Sequence, residues 1–386
     1  MRITDIREMT VPLEGDIANA LVNFREHTIS LVAVVTDIMR GSQPVVGYAF
    51  NSIGRFAQGG ILRDRVMPRL RAAKPQELLN AAGDAFDPAA VLRVAMRNEK
   101  PGGHGDRAGA VAAIELACWD VNAKLADEPA CATIARHYGR KPAEAVPVYA
   151  AGGYYYPGDS VSRLADELRA YRDQGFTAYK IKIGGAPLAE DMARIEAALN
   201  VAGAGDRLAV DANGRFDLTT ATAYGRAMAP FGLRWYEEPG DPLDYGLNAR
   251  LIAAGSGPVA TGENLFSLQD ARNLLAFGGM RPGIDIFQMD PGLSYGLGEY
   301  VCMLAAMEAA GFSRAQAHPH GGHLINLHIA AGLGLGGCEA YPGVFQPFGG
   351  YGPACVLGDG LVMPSDAPGW GLEEKPELRD ALGRLA

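Results

Sequence analysis

From about residue 146 to the mid-340s the chain repeats one arrangement: a short apolar run, a polar residue at its end, a turn, and then a helical stretch. The runs VPVYAAGG, AYKIKIGG, RLAVDANG, LRWYEEPG, PVATGEN, IDIFQMD, RAQAHPHGG and GLGLGGCEAYPG begin near residues 146, 178, 207, 233, 258, 284, 314 and 332. A step of roughly 18 to 32 residues holds one strand and one crossover helix, which is what successive parallel strands require. Eight such units predict a (β/α)8-type barrel. In that architecture the C-terminal ends of the strands converge on one mouth, so residues far apart in sequence become neighbours there.

Residues 1–140 have a different rhythm. MRITDIREMTVPL, HTISLVAVVTDI and PVVGYAF carry β-branched residues at period two, with turns at Gly15-Asp16 and Gly41-Ser42, and helical periodicity follows in LRDRVMPRLRAAKPQELLNAAGDAF and RAGAVAAIELACWDVNAKLADEPACATIARHYG. This predicts an α+β domain ahead of a barrel over 141–346. Residues 347–386, rich in Pro and Gly, are too short for another barrel unit and are expected to pack back on the first domain. A net charge of -9 without any Lys/Arg stripe argues against a nucleic-acid or anionic-membrane partner and for a small-molecule one. Five scattered cysteines suggest neither a disulfide framework nor a zinc knuckle. With no apolar leader and no long apolar stretch, a cytoplasmic protein is expected. The first domain and the apolar barrel exterior suggest a homo-oligomer.

The strand ends carry the chemistry. Asp211, Glu237 and Glu263 end three successive strands at spacings of 26 and 26 residues, with Asn213 and Glu238 close by. Three carboxylates facing one point repel one another unless a cation lies between them. All-oxygen ligands favour a hard divalent ion, Mg2+ with Mn2+ as the alternative, over Zn2+. Lys180 and Lys182, at i and i+2, share the inward face of their strand. Burial and neighbouring positive charge are expected to lower a lysine there toward neutrality, as suits a general base. Asp290 ends one strand and His320 follows the next, so the carboxylate is placed to fix the imidazole tautomer and leave the other nitrogen for proton transfer. His318 reads as a supporting residue, and His323 and His328 as packing. Glu339 ends the last strand toward the substrate, and Tyr154 lies just past the first. A hydrogen alpha to a carboxylate is so weakly acidic that its removal needs a base and strong stabilisation of the resulting enediolate. Lysine, histidine and a divalent cation together supply both.

KIK, VDANG, WYEEP, TGEN and HPHGG, in that order after an α+β domain, resemble the enolase superfamily in its mandelate racemase-like branch, across essentially the whole chain. The resemblance implies a modified TIM barrel, (β/α)7β, with an N-terminal capping domain that carries specificity loops. It implies Mg2+ on Asp211, Glu237 and Glu263, proton abstraction by Lys182, and protonation of a departing hydroxide by His320 oriented by Asp290. Lys180 would stabilise the substrate carboxylate, while Lys100, Asn19 and Asn51 of the 50s loop would grip a hydroxy diacid from the capping side. The expected reaction is dehydration of an acid sugar to a 2-oxo acid. An epimerase of the same superfamily, a Schiff-base aldolase and a non-catalytic binding protein are the rival readings.

Overall fold

The computed structural model describes residues 1–156 and 161–385. Its first element is an antiparallel sheet in the order β1 (Ile3–Pro12), β2 (Thr28–Arg40), β3 (Gln43–Phe50). The β2–β3 turn is tight, with Gly41 at φ +60°, whereas residues 13–27 form a long excursion rather than a hairpin. The helix Gly105–Ala126 lies so close to the sheet that a Cβ on Gly47 would meet the Ala117 carbonyl at 2.1 Å. Only glycine allows that approach. On the same helix, Asp120 accepts from the backbone N–H of Tyr48 at 2.7 Å and of Trp370 at 2.8 Å.

Six parallel strands follow in sequence order: β4 (Val146–Gly152), β5 (Tyr179–Lys182), β6 (Leu208–Asp211), β7 (Tyr236–Glu237), β8 (Val259–Thr261) and β9 (Ile286–Phe287). β10 (Cys338–Ala340) closes the ring on β4. The expected seventh strand is reduced to one bridge, Phe287 with Ala317, preceded by a 3-10 turn at Arg314–Gln316. Pro319 has no N–H to extend a ladder, and the closure runs through single bonds from His318 N to Phe287 O (2.9 Å) and Gly336 N to Ala317 O (3.2 Å). Tyr149, Ala178, Ala209, Trp235 and Ala260 pack as a dry layer inside the barrel. The register places Lys182 beside Asp211 and Asp211 beside Glu237, one level above that layer.

The C-terminal segment differs from expectation in its first half. β11 (Val356–Gly358) and β12 (Leu361–Met363) form a hairpin that joins β4 at Val146 and Pro147, where β4 extends below its neighbours and would otherwise leave backbone groups unpaired. Further on, Trp370 Nε1 donates to Leu116 O of the Gly105–Ala126 helix at 3.1 Å. Among the described residues, no helix is long and apolar enough to cross a membrane.

Glu115, also on Gly105–Ala126, fastens the capping domain to the barrel. Its carboxylate accepts from Leu297 N (2.9 Å) and Gly298 N (3.2 Å), at the start of the helix Leu297–Ala309, and from Trp119 Nε1 (3.0 Å). Truncation would orphan three buried donors. Glu115→Ala is therefore expected to lower the unfolding free energy by about 3 kcal/mol in denaturant titrations. Burial pushes the Glu115 carboxyl up to about 7, from 4.5, against those hydrogen bonds. The folded state thus favours the protonated form, and this contribution to stability, complete below pH 4.5, declines as pH rises toward 7. Glu115→Gln should flatten that slope; an unchanged pH dependence would contradict the assignment.

Candidate functional site

A cavity of about 230 Å³ lies where the two domains meet over the strand ends. Its floor is Lys182 (β5), Asn213 (after β6), Glu238 (after β7), Glu263 and Asn264 (after β8) and His320. The 13–27 excursion contributes Asn19, Leu21, Val22 and Phe24, and the turn after β3 contributes Ile53, Gly54 and Arg55. Tyr154, Tyr341 and Phe345 complete the wall.

Asp211 accepts from Lys182 Nζ at 2.5 Å and from Asn213 N at 2.8 Å, with Lys180 Nζ at 3.6 Å. Burial works against ionisation there, yet Lys182 and Lys180 outweigh it and hold the Asp211 carboxyl below its usual range. Glu237 accepts from Lys180 Nζ at 2.5 Å, Gln288 Nε2 at 2.7 Å and Trp235 Nε1 at 2.9 Å. Burial, then the Asp211 charge, raises its carboxyl.

Period two along β7 turns Glu237 inward, where it meets Lys180 and does not line the cavity. Glu238, at φ +36°, breaks that alternation and turns inward as well. A non-glycine residue held at positive φ is strained backbone of the kind found at functional sites. Glu238 is buried, with its two oxygens 2.9 and 3.1 Å from Asn264 Nδ2. Burial, Glu263 and Asp211 push its carboxyl well above the ordinary range. The structure thus amends the carboxylate trio expected from spacing: Glu237 sits by Asp211 through the shared Lys180, and the residue facing Glu263 is Glu238. Among the described residues, no three acidic, histidine or cysteine side chains converge on one point closely enough to hold an ion as they stand. Lysines occupy Asp211 and Glu237 instead.

The donor set nevertheless fits a hard divalent cation. Four carboxylates crowd one buried region, and Glu238 has no cationic partner in it among the described residues. Asn213 Oδ1 is buried at the same floor without a hydrogen bond. All of these donors are oxygens, which suits Mg2+ or Mn2+.

Across from Lys182, His320 Nδ1 lies 3.1 Å from Asp290 Oδ2. Its Nε2 is 3.0 Å from the Tyr341 hydroxyl, 3.4 Å from Glu263 and 3.9 Å from Glu339. Burial disfavours the imidazolium, but Glu263, Asp290 and Glu339 together push His320 up to about 9. Asp290 is itself fixed by Gly292 N at 2.8 Å and Asn326 Nδ2 at 3.1 Å. The other histidines near the strand ends are neutral. Burial lowers His318 to about 3, and His323 and His328 to about 4. His323 joins the 50s turn to the barrel through Ser52 Oγ at 3.0 Å.

Four expectations, for Lys180, Glu339, Lys100 and Asn51, change. Lys180 is raised well above its ordinary value rather than lowered, because Glu237 at 2.5 Å and Glu339 at 2.6 Å outweigh the effect of burial. Glu339 is engaged there and with Gly321 N (3.0 Å), below the cavity. Lys100 is exposed and does not reach the cavity. Its loop is held outward by Arg107, which donates to the Lys100 carbonyl at 3.0 Å. Asn51 is buried and serves the backbone, accepting from Ser30 N at 2.6 Å. Asn19 lines the cavity while its oxygen accepts from Leu21 N and Val22 N. Tyr154 lies with its ring 5.2 Å from Lys182 Nζ.

Glu238, Asn264, Tyr341 and Arg55 were not singled out as site residues by sequence reasoning. Tyr341 had a signal, since it lies two residues past Glu339 on the same strand face. Arg55 had none, because a loop has no periodicity.

A parallel barrel capped by an α+β domain, with carboxylates, a lysine and a histidine–aspartate pair around its mouth, defines a class of barrel enzymes. Residues 163–378 match the family described as enolase C-terminal domain-like. The chain is 31% identical over 298 residues to the 3,6-anhydro-alpha-L-galactonate cycloisomerase of Streptomyces coelicolor, covering 74% of this chain and 73% of that one. It is 28% identical over 340 residues to the arabinonate dehydratase of Saccharolobus solfataricus, covering 86% and 85%. The fold superposes on the L-talarate/galactarate dehydratase of Salmonella typhimurium, solved with Mg and L-lyxarohydroxamate, with a TM-score of 0.76 at 23% identity over 97% and 90% of the two chains. The chain belongs to the enolase superfamily, in its mandelate racemase-like branch.

Proposed function

We propose that this chain is a Mg2+-dependent acid-sugar dehydratase that removes the proton alpha to a carboxylate and expels the β-hydroxyl as water. The observation that carries the reading is the placement, around one cavity, of Lys182 on the floor and of His320, whose Nδ1 is held by Asp290 at 3.1 Å. The dehydratases among its relatives support the reaction class. Asp211, Glu237 or Glu238, and Glu263 would hold the cation, with Asn213 beside them. When bound, the ion would supply Lewis-acid stabilisation of the charge that develops on the substrate carboxylate.

The residues of the chain do the rest. Lys182 Nζ, engaged only by Asp211 among the described carboxylates, takes the α-proton. His320, oriented by Asp290, delivers a proton from Nε2 to the departing hydroxyl. Without that delivery hydroxide is a poor leaving group. The apolar side of the cavity, from Leu21, Val22, Phe24 and Ile53, limits water around the charged intermediate. Lys180 is too tightly paired with Glu237 and Glu339 to act as a base, and it holds the Glu339 carboxyl below its usual range against burial. The enol product tautomerises to a 2-oxo acid.

We propose D-tartrate as the first substrate to test. The segments NEKPGGHG, YAAGGYYYPG and LGLGGCEAYPGVFQPFGG are similar to those of D-tartrate dehydratases, and oxaloacetate would be the product. The lysine–histidine pair also suits an epimerase, which yields no 2-oxo acid. Purified protein should form oxaloacetate from D-tartrate, and from neither the L nor the meso isomer, with Mg2+ and not with EDTA. Absence of product from all three, with turnover of a longer sugar acid, would move the substrate and keep the chemistry. Absence of α-proton exchange in D2O across an acid-sugar panel would overturn the proposal.

A further inference from the structure

Arg55 is the one guanidinium on the cavity wall, and it comes from the capping domain. It stands half-buried, with Ile53 two residues before it and its guanidinium 5.2 Å from the Phe266 ring. Nη1 donates to the Gly54 carbonyl at 2.8 Å and Nη2 donates to Asn264 Oδ1. Neither acceptor is charged, and among the described residues no carboxylate lies within ion-pair distance of Arg55. Nearly every other half-buried arginine of the capping domain has one: Arg65, Arg69 and Arg107 all converge on Glu99. An arginine has five N–H donors in a planar fork, so three remain for a ligand.

We propose that Arg55 is the subsite for a second, distal carboxylate, and that the substrate is therefore a dicarboxylate rather than the corresponding monocarboxylic sugar acid. The inference rests on the acid-sugar reading, and adds the chemistry of the far end of the molecule. The first carboxylate belongs at the floor, beside Lys182 and the acidic cluster. A cavity of about 230 Å³ holds a short sugar acid with both ends engaged. Around Arg55, Ile53 and the Phe266 ring thin out the water, so a forked ion pair discriminates strongly between a carboxylate and a hydroxymethyl group. The same arrangement accounts for Lys100 standing outside: the cation that meets the distal anion is carried by the 50s turn. That turn is fixed to the barrel by Ser52 and His323, and by the bond of Arg55 to Asn264.

The test compares matched pairs that differ only at the distal carbon, tartrate with threonate and galactarate with galactonate, by calorimetric binding to the Mg2+-loaded protein. The comparison is made in a Lys182→Ala background, with wild type and variant referring to position 55, so binding is read without turnover and the outcome does not depend on dehydration. For at least one pair the wild type should bind the dicarboxylate more than tenfold more tightly. Arg55→Gln should remove that preference by weakening the dicarboxylate roughly a hundredfold while changing the monocarboxylate less than threefold. Arg55→Lys, which keeps the charge and loses the fork, should fall between. Equal affinities within both pairs for the wild type would overturn the proposal. So would an Arg55→Gln protein, folded by circular dichroism, that weakens both members of a pair alike, since Arg55 would then act only through Asn264. Retained selectivity without any dehydration by the protein with Lys182 intact would leave the distal subsite standing and count against the reaction, so the two readings fail separately.

Discussion

Lys182→Ala is expected to abolish dehydration, lowering kcat by roughly a thousandfold or more, with the protein still folded and its melting temperature close to wild type. The amine is the one lysine on the cavity floor among the described residues, and its salt bridge is with Asp211. Removing it takes away the proton acceptor and leaves the barrel layer beneath, built on Tyr149 and Trp235, untouched. Exchange of the substrate α-hydrogen with D2O should vanish together with product. Appreciable exchange in the variant would assign the base elsewhere. The companion variant at Lys180 should behave differently. That side chain joins Glu237 and Glu339 in the interior, so its loss should cost stability as well as activity.

The second large effect is at His320. His320→Asn should stop release of the β-hydroxyl, with a loss of roughly a thousandfold in kcat for the 2-oxo acid. α-Proton exchange, which depends on Lys182, should persist. The split between exchange and elimination separates the two roles, and simultaneous loss of both from a folded variant would assign His320 to the first proton transfer instead. Asp290→Asn should give a milder version of the same defect, because Glu263 and Glu339 still favour the imidazolium while the ring loses its fixed partner at 3.1 Å.

How far the sequence foretold this structure depends on whether a residue belongs to a periodic element. Lys182, Asp211 and Glu237 lie on strands whose hydrophobic rhythm also sets their inward direction, so their proximity followed from the unit length alone. Asp290 and His320 followed from the same argument, one strand further on. The rhythm cannot register a break in itself. Glu238 enters the cavity because its own backbone sits at φ +36°, which the letters of WYEEPG do not reveal. The seventh strand shrank for a local reason, the proline in HPHGG. Lys100 and Arg55 mark a third case. Both are cations in glycine-containing loops of the capping domain, and only the tertiary path of each loop decides which one faces the ligand. For Lys100 that path is set by Arg107, and for Arg55 by Asn51 and Ser52 at the foot of the turn.

The close seating of the Gly105–Ala126 helix on the capping sheet, with Glu115 reaching across to the barrel, also bears on how such a protein can diverge. The groups that move protons and would hold the cation come from residues 180–341, whereas the capping-domain wall, Arg55 included, is written in residues 19–55. Mutations in the earlier stretch can retune the diet of the enzyme without disturbing its reactivity, as long as the joint at Glu115 keeps the two halves in alignment. A chimaera that exchanges residues 13–27 and 51–56 with those of a relative should therefore inherit the donor's choice of substrate and keep the host's chemistry.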